Sequence, residues 1–138
     1  MRSFAHTAAV VLFFHCLLAL SGCGAAGDSR VTFQPTGKHK MEEIASMLAA
    51  NKVSNVSPPA RLDDLEPFEP NLPLSAAEIR SGEIVYIWGA GLSTAPAAAN
   101  TILAYEKKAS IEGGWVLMQD GTAKQMTTEG FNATPKAR

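Results

Sequence analysis

Apolar residues recur at three- and four-residue steps through Met41, Ile44, Ala45 and Leu48. That period predicts an amphipathic helix over residues 39–52, with Glu42 and Glu43 suited to the positive first turn. The ordinary use of such a stripe is to face a core; lying on a membrane surface is the alternative. Pro58-Pro59 stops any helix, and Leu62 and Leu65 mark a short turn before Pro67, Pro70 and Pro73. Ser75 and Glu78 have capping-box spacing, which predicts a helical turn over residues 76–80 that Gly82 ends.

Downstream the pattern changes. Glu83-Ile84-Val85-Tyr86-Ile87-Trp88 is β-branched, aromatic and apolar on both faces, which predicts a central strand. After a Gly/Ala/Pro loop over residues 89–100, a second strand is expected over 101–107. Alternation places Leu103 and Tyr105 on one of its faces and Ile102 and Ala104 on the other. Gly113-Gly114 introduces a third strand over 115–119, and Asp120-Gly121 predicts a two-residue type I′ hairpin turn into a fourth over 123–126. Thr127 or Thr128 is placed to cap a final turn carrying Phe131. These elements predict an α+β fold, one helix packed on a small antiparallel sheet of three or four strands.

The first 38 residues read differently. Arg2 precedes an apolar stretch that runs to Leu20, and Ser21, Gly22 and Cys23 follow. A positive start, an apolar middle and a small-residue end make a secretory signal. Spanning a bilayer needs roughly 20 apolar residues, and His15 interrupts this stretch. Leu20-Ser21-Gly22-Cys23 resembles the bacterial lipoprotein box, in which cleavage between Gly22 and Cys23 leaves an acylated cysteine as the mature N-terminus. The alternatives are ordinary secretion with a free thiol and an uncleaved anchor. Residues 24–38 are small and polar and predict a tether, giving a signal peptide at 1–22, a tether at 23–38 and a domain at 39–138.

Composition then narrows the chemistry. The net charge of −1 argues against nucleic acid as a partner, because phosphate binding needs a surplus of Lys and Arg. Removing the signal takes away His6, His15 and Cys16, leaving Cys23 and His39 as the one cysteine and one histidine. A single histidine beside the tether gives Ser–His or Cys–His catalysis no base, and zinc sites need several such ligands. No cofactor or enzymatic activity is expected. An unpaired thiol in an oxidising compartment is a liability that thioether linkage to a lipid removes. Two or more acyl chains, at about 0.8 kcal/mol per buried methylene, then hold the protein at a membrane.

Five other features bear on function. Asp63, Asp64, Glu66 and Glu69 form an acidic run able to offer oxygen ligands to a divalent cation, although interleaved Pro and Leu favour a solvated surface. Asp120 is a carboxylate at a hairpin turn, better read as structural. Gly89-Ala90-Gly91 lacks the spacing and the following helix of a phosphate loop. Tyr86, Trp88, Tyr105 and Trp115 sit in predicted strands, where packing is their usual task and a ligand-stacking platform the alternative. The Asn-x-Ser/Thr triplets at Asn55 and Asn132 are read as chance, as expected for a bacterial protein.

The segment from Ser81 to Gly89, then Ile102-Leu103-Ala104-Tyr105-Glu106-Lys107, then Gly113-Gly114-Trp115-Val116-Leu117-Met118 with Asp120-Gly121, resembles small exported proteins of planctomycete-type bacteria, many of them lipoproteins. The ending is also similar to pilin-like secreted proteins of those bacteria, in which a His precedes the Asp-Gly hairpin; Ser110 stands at that place here. Upstream, a helix followed by Pro59, Leu62, Leu65 and Pro67 is similar to the layout of pseudopilin heads. The resemblance implies a pilin-head-like domain and no catalytic residue. A lipoprotein box replaces the prepilin peptidase site and long assembly helix of pilins.

The expected function is a lipid-anchored envelope protein that displays an interaction or structural module toward an envelope partner. The alternative is a periplasmic accessory protein that binds a ligand or divalent cation through the acidic surface. Gly24 stands where Asp would favour the inner membrane, which points to the outer membrane or cell surface.

Overall fold

A computed structural model describes residues 36–138, so Gly22, Cys23 and most of the tether lie outside the described residues. The predicted helix is α1, Gly37–Val53, and it takes in Gly37 and Lys38 from the expected tether. Its start is set by Thr36, whose N–H donates to Nδ1 of His39 at 3.2 Å and whose hydroxyl meets the same nitrogen at 2.9 Å. Glu42 and Glu43 therefore lie past the first turn. The far end closes before Pro58-Pro59. Asn55 adopts a left-handed φ of 54°, and the N–H groups of Asn55 and Val56 reach the carbonyls of Lys52 and Asn51 at 3.4 and 2.8 Å. Those are the two bonds of a Schellman motif. Met41, Ile44, Met47 and Leu48 are buried, so the stripe faces the core.

A 3-10 helix, Leu62–Asn71, replaces the expected short turn and contains Pro67 and Pro70. Helix α2, Ala76–Ser81, ends at Gly82 with φ 77°, as its sequence predicts. The predicted capping box within it does not form. Ser75 is fully buried and donates its N–H (2.9 Å) and its hydroxyl to Glu43 of α1, which also takes the Leu74 N–H at 3.1 Å. Glu78 pairs with Lys40 of α1. Both residues of the supposed box thus fasten α2 to α1.

The sheet is antiparallel in the order β1 (Ile84–Tyr86), β2 (Ile102–Glu106), β3 (Gly114–Met118), β4 (Ala123–Met126). Helix α1 covers one face through a cluster that includes Met41, Ile44, Leu103, Ala104 and Leu117. Two short helices, α3 (Ala109–Glu112) and α4 (Thr128–Ala133), bring Ala109 and Phe131 to a second cluster with Ile102, Val116 and Met118. Thr127 caps α4 by accepting the Gly130 N–H at 3.2 Å. The fold is α+β, with helix on sheet.

Three expectations are corrected. β1 is an edge strand of three residues, not a central one. Apolar residues on both faces report what can cover a strand, not how many neighbours hydrogen-bond to it, and Gly89, at φ 79°, turns the chain away. In β2 a bulge between Ile102 and Ala104 breaks the alternation. Leu103 and Ala104 therefore share the α1-side cluster, while Ile102 and Tyr105 meet in the other. The Asp120-Gly121 hairpin forms, but only Gly121 has positive φ (92°), and its N–H bonds the Met118 carbonyl at 3.0 Å. That is a three-residue loop of the type I plus bulge kind instead of a type I′ turn.

Where β1 leaves β2, the C-terminal tail takes its place. Ile102 donates to the Pro135 carbonyl and accepts from the Ala137 N–H, both at 2.8 Å. Lys136 lies over the Phe131 ring at 4.2 Å, a cation–π contact that holds the tail down.

Candidate functional site

The acidic run is distributed along the 3-10 helix, and two of its four carboxylates, Asp64 and Glu69, are already engaged. Asp64 accepts from the Ala60 N–H and from Arg61 Nε, both at 3.1 Å. Glu69 is paired with Arg80. Asp120 accepts the Thr122 N–H at 2.9 Å, a local turn bond. Among the described residues, no three His, Cys, Asp or Glu side chains are gathered to hold a metal ion. Ser110 lies in α3 with its hydroxyl on the Lys107 carbonyl at 3.2 Å.

The aromatic residues are not assembled into one platform. Tyr86 is buried, donates its hydroxyl to the Ala90 carbonyl, and meets Trp88 edge to face at 5.1 Å. Burial pushes its phenol well above the usual tyrosine range. Tyr105 packs against Phe131 in the other cluster. Gly89-Ala90-Gly91 makes a turn followed by the 3-10 segment Pro96–Asn100, not by an α-helix.

Trp115 stands apart, and it marks a feature the sequence does not disclose. At the end of the sheet where β2 stops and β3 begins, a groove of about 820 Å³ opens beside the start of α1. Glu106 forms its inner wall. The Trp115 N–H donates to Glu106 Oε2 at 2.8 Å, and the carboxylate sits against Gly37, the first residue of α1. Negative charge there is favourable, because the helix N-terminus presents unpaired N–H groups. Room for the carboxylate depends on two glycines. A Cβ at Gly37 would lie 2.6 Å from Trp115 Cδ1 and closer still to Glu106, and one at Gly114 would lie 2.9 Å from Glu106 Oε2.

The groove's rim carries Lys108, Glu112 and Glu129, so three carboxylates line it against one lysine. Lys108 and Glu112 are 3.9 Å apart on the exposed rim. Gln125, Met126 and Thr127, from the end of β4, form the opposite wall. Periodicity missed this site because Glu106 reads as the tail of a strand, Gly37 as tether and Gly113-Gly114 as a turn. Only the fold brings the three together.

Comparison with protein-family models, curated proteins and solved structures gives no significant match, so the reading rests on the chain's own residues.

Proposed function

We propose that this chain is a lipid-anchored protein of the bacterial cell envelope, attached through Cys23, whose α+β domain is a non-catalytic interaction module. The observation that carries the anchor is Leu20-Ser21-Gly22-Cys23 at the end of an apolar run behind Arg2. Cys23 is the one cysteine left after cleavage, and acylation converts an exposed thiol into the attachment point. Gly24 favours the outer membrane over the inner one.

The domain's geometry supports an interaction role more than chemistry. Nδ1 of His39 is taken by Thr36, and Asp64 and Glu69 are held by arginines. Asp120 is used by its own turn. The polar groove beside Trp115 and the strand edge next to it are surfaces a partner can meet.

Two measurements test the proposal. Cells expressing the protein are fed a palmitate analogue; label is expected on the wild type and absent from Cys23→Ser, and a labelled Cys23→Ser protein would end the anchor assignment. Affinity capture from envelope extracts should recover a reproducible partner, and repeated recovery of nothing specific counts against an interaction module.

A further inference from the structure

The two outer strands of the sheet are not equivalent. In β1 the N–H and C=O groups of Ile84 and Tyr86 face away from β2, and both residues are buried, so that edge is covered. On β2 the tail covers the stretch beyond β1. β4 is different. The Met118 N–H bonds the Thr122 carbonyl, which makes Val116/Lys124 and Gly114/Met126 the next hydrogen-bonded pairs of the ladder. Ala123 and Gln125 therefore direct their N–H and C=O groups outward. Among the described residues nothing bonds those groups, and Gln125 is exposed. An open strand edge is a template for another strand.

The acidic groove adjoins that edge. Gln125 and Met126 belong to both, and Glu112 and Glu129 line the same groove. We propose that β4 takes up an extended segment of a partner protein as a fifth strand, with a Lys or Arg of that segment seated in the groove among Glu106, Glu112 and Glu129. Backbone pairing supplies affinity and the groove supplies charge selection. A second copy of this chain fits poorly. The groups flanking its β4 are Asp120 and Glu129, of the same sign as the groove, and its Lys124 is held by the Ala99 carbonyl at 3.0 Å. The inference rests on the interaction-module reading and names the surface it uses.

The test is amide hydrogen exchange on the whole chain in detergent micelles. The probe is a synthetic Lys-Thr-Val-Thr-Lys peptide, compared with Glu-Thr-Val-Thr-Glu. The basic peptide should slow exchange at Ala123 and Gln125 at least tenfold, and the acidic one should leave both unchanged. Glu112→Gln with Glu129→Gln should weaken the basic peptide about fivefold to tenfold, as expected for exposed charges. Glu106 is left intact because its carboxylate holds the Trp115 backbone. Gln125→Pro removes an outward donor and no ladder bond, and should abolish the effect. If that variant does not fold, exchange on the unaltered sequence still decides.

Unchanged exchange at Ala123 and Gln125 overturns the proposal, as does equal protection by the acidic peptide. Protection that rises with protein concentration in the absence of peptide overturns it in favour of self-association. A reproducible envelope partner whose binding leaves those two amides unprotected also overturns it, while the broader interaction reading stands.

Discussion

Replacing Glu43 by alanine should cost about 2 to 3 kcal/mol of stability, a large effect for a half-buried carboxylate. The carboxylate accepts three donors from the start of α2: the Leu74 N–H, the Ser75 N–H and the Ser75 hydroxyl. Ser75 is fully buried, so water does not replace the lost partner there. Hydrogen bonds to a charged acceptor contribute roughly 1.5 to 3 kcal/mol, and a buried donor left unpaired costs about 1 to 3 kcal/mol. The Leu74 bond is counted lightly because that residue is half-exposed. For a domain of this size the loss corresponds to roughly 10 to 15 °C in Tm.

The neighbouring residue supplies the control. Glu42 forms an i,i+4 pair with Lys38 at 3.2 Å, with both side chains about half exposed. Glu42→Ala should cost at most about 0.5 kcal/mol. Urea denaturation followed by circular dichroism measures both. Ser75→Ala and the double variant with Glu43→Ala should be non-additive by more than about 0.5 kcal/mol, because they remove one shared interaction. If Glu43→Ala falls within about 0.5 kcal/mol of Glu42→Ala, the tie between α1 and α2 is not the stabilising contact described here.

Three further outcomes follow from other contacts. Stability should fall above pH 10 by about 1.4 kcal/mol per pH unit, because Tyr86 keeps its proton when folded and loses it when unfolded; Tyr86→Phe should flatten that slope. Gly113→Ala should destabilise more than Gly37→Ala in thermal melts. At Gly113, φ is 78° and the new Cβ would lie 2.6 Å from the Met126 carbonyl oxygen, whereas Gly37 is helical and the atoms it meets belong to side chains, not backbone. Asn55→Ala should cost about 1 kcal/mol through its left-handed φ, and Asn55→Gly should be neutral or slightly stabilising, read from denaturation midpoints.

Much of the fold was legible along the chain because the signals are local. The Met41–Leu48 stripe, the Gly82 stop, the Asp120-Gly121 hairpin and the Thr127 cap each depend on a few adjacent residues. The proposed lipoprotein box, Leu20 to Cys23, is likewise contiguous, and that proposal rests on the sequence alone. What the sequence could not express are pairings between distant residues. Ser75 and Glu78 have the spacing of a local cap, yet both are taken by α1, because a charged acceptor from Glu43 and a cation from Lys40 lie within reach once the helices pack. Glu42 and Glu43 are alike in sequence and are separated by which face of α1 meets α2. The order of strands, the bulge that moves Ile102 to Tyr105's face, and the groove walled by Gly37, Glu106 and Trp115 were decided by tertiary structure alone. Their physical cause is non-local hydrogen bonding and burial, which periodicity does not record.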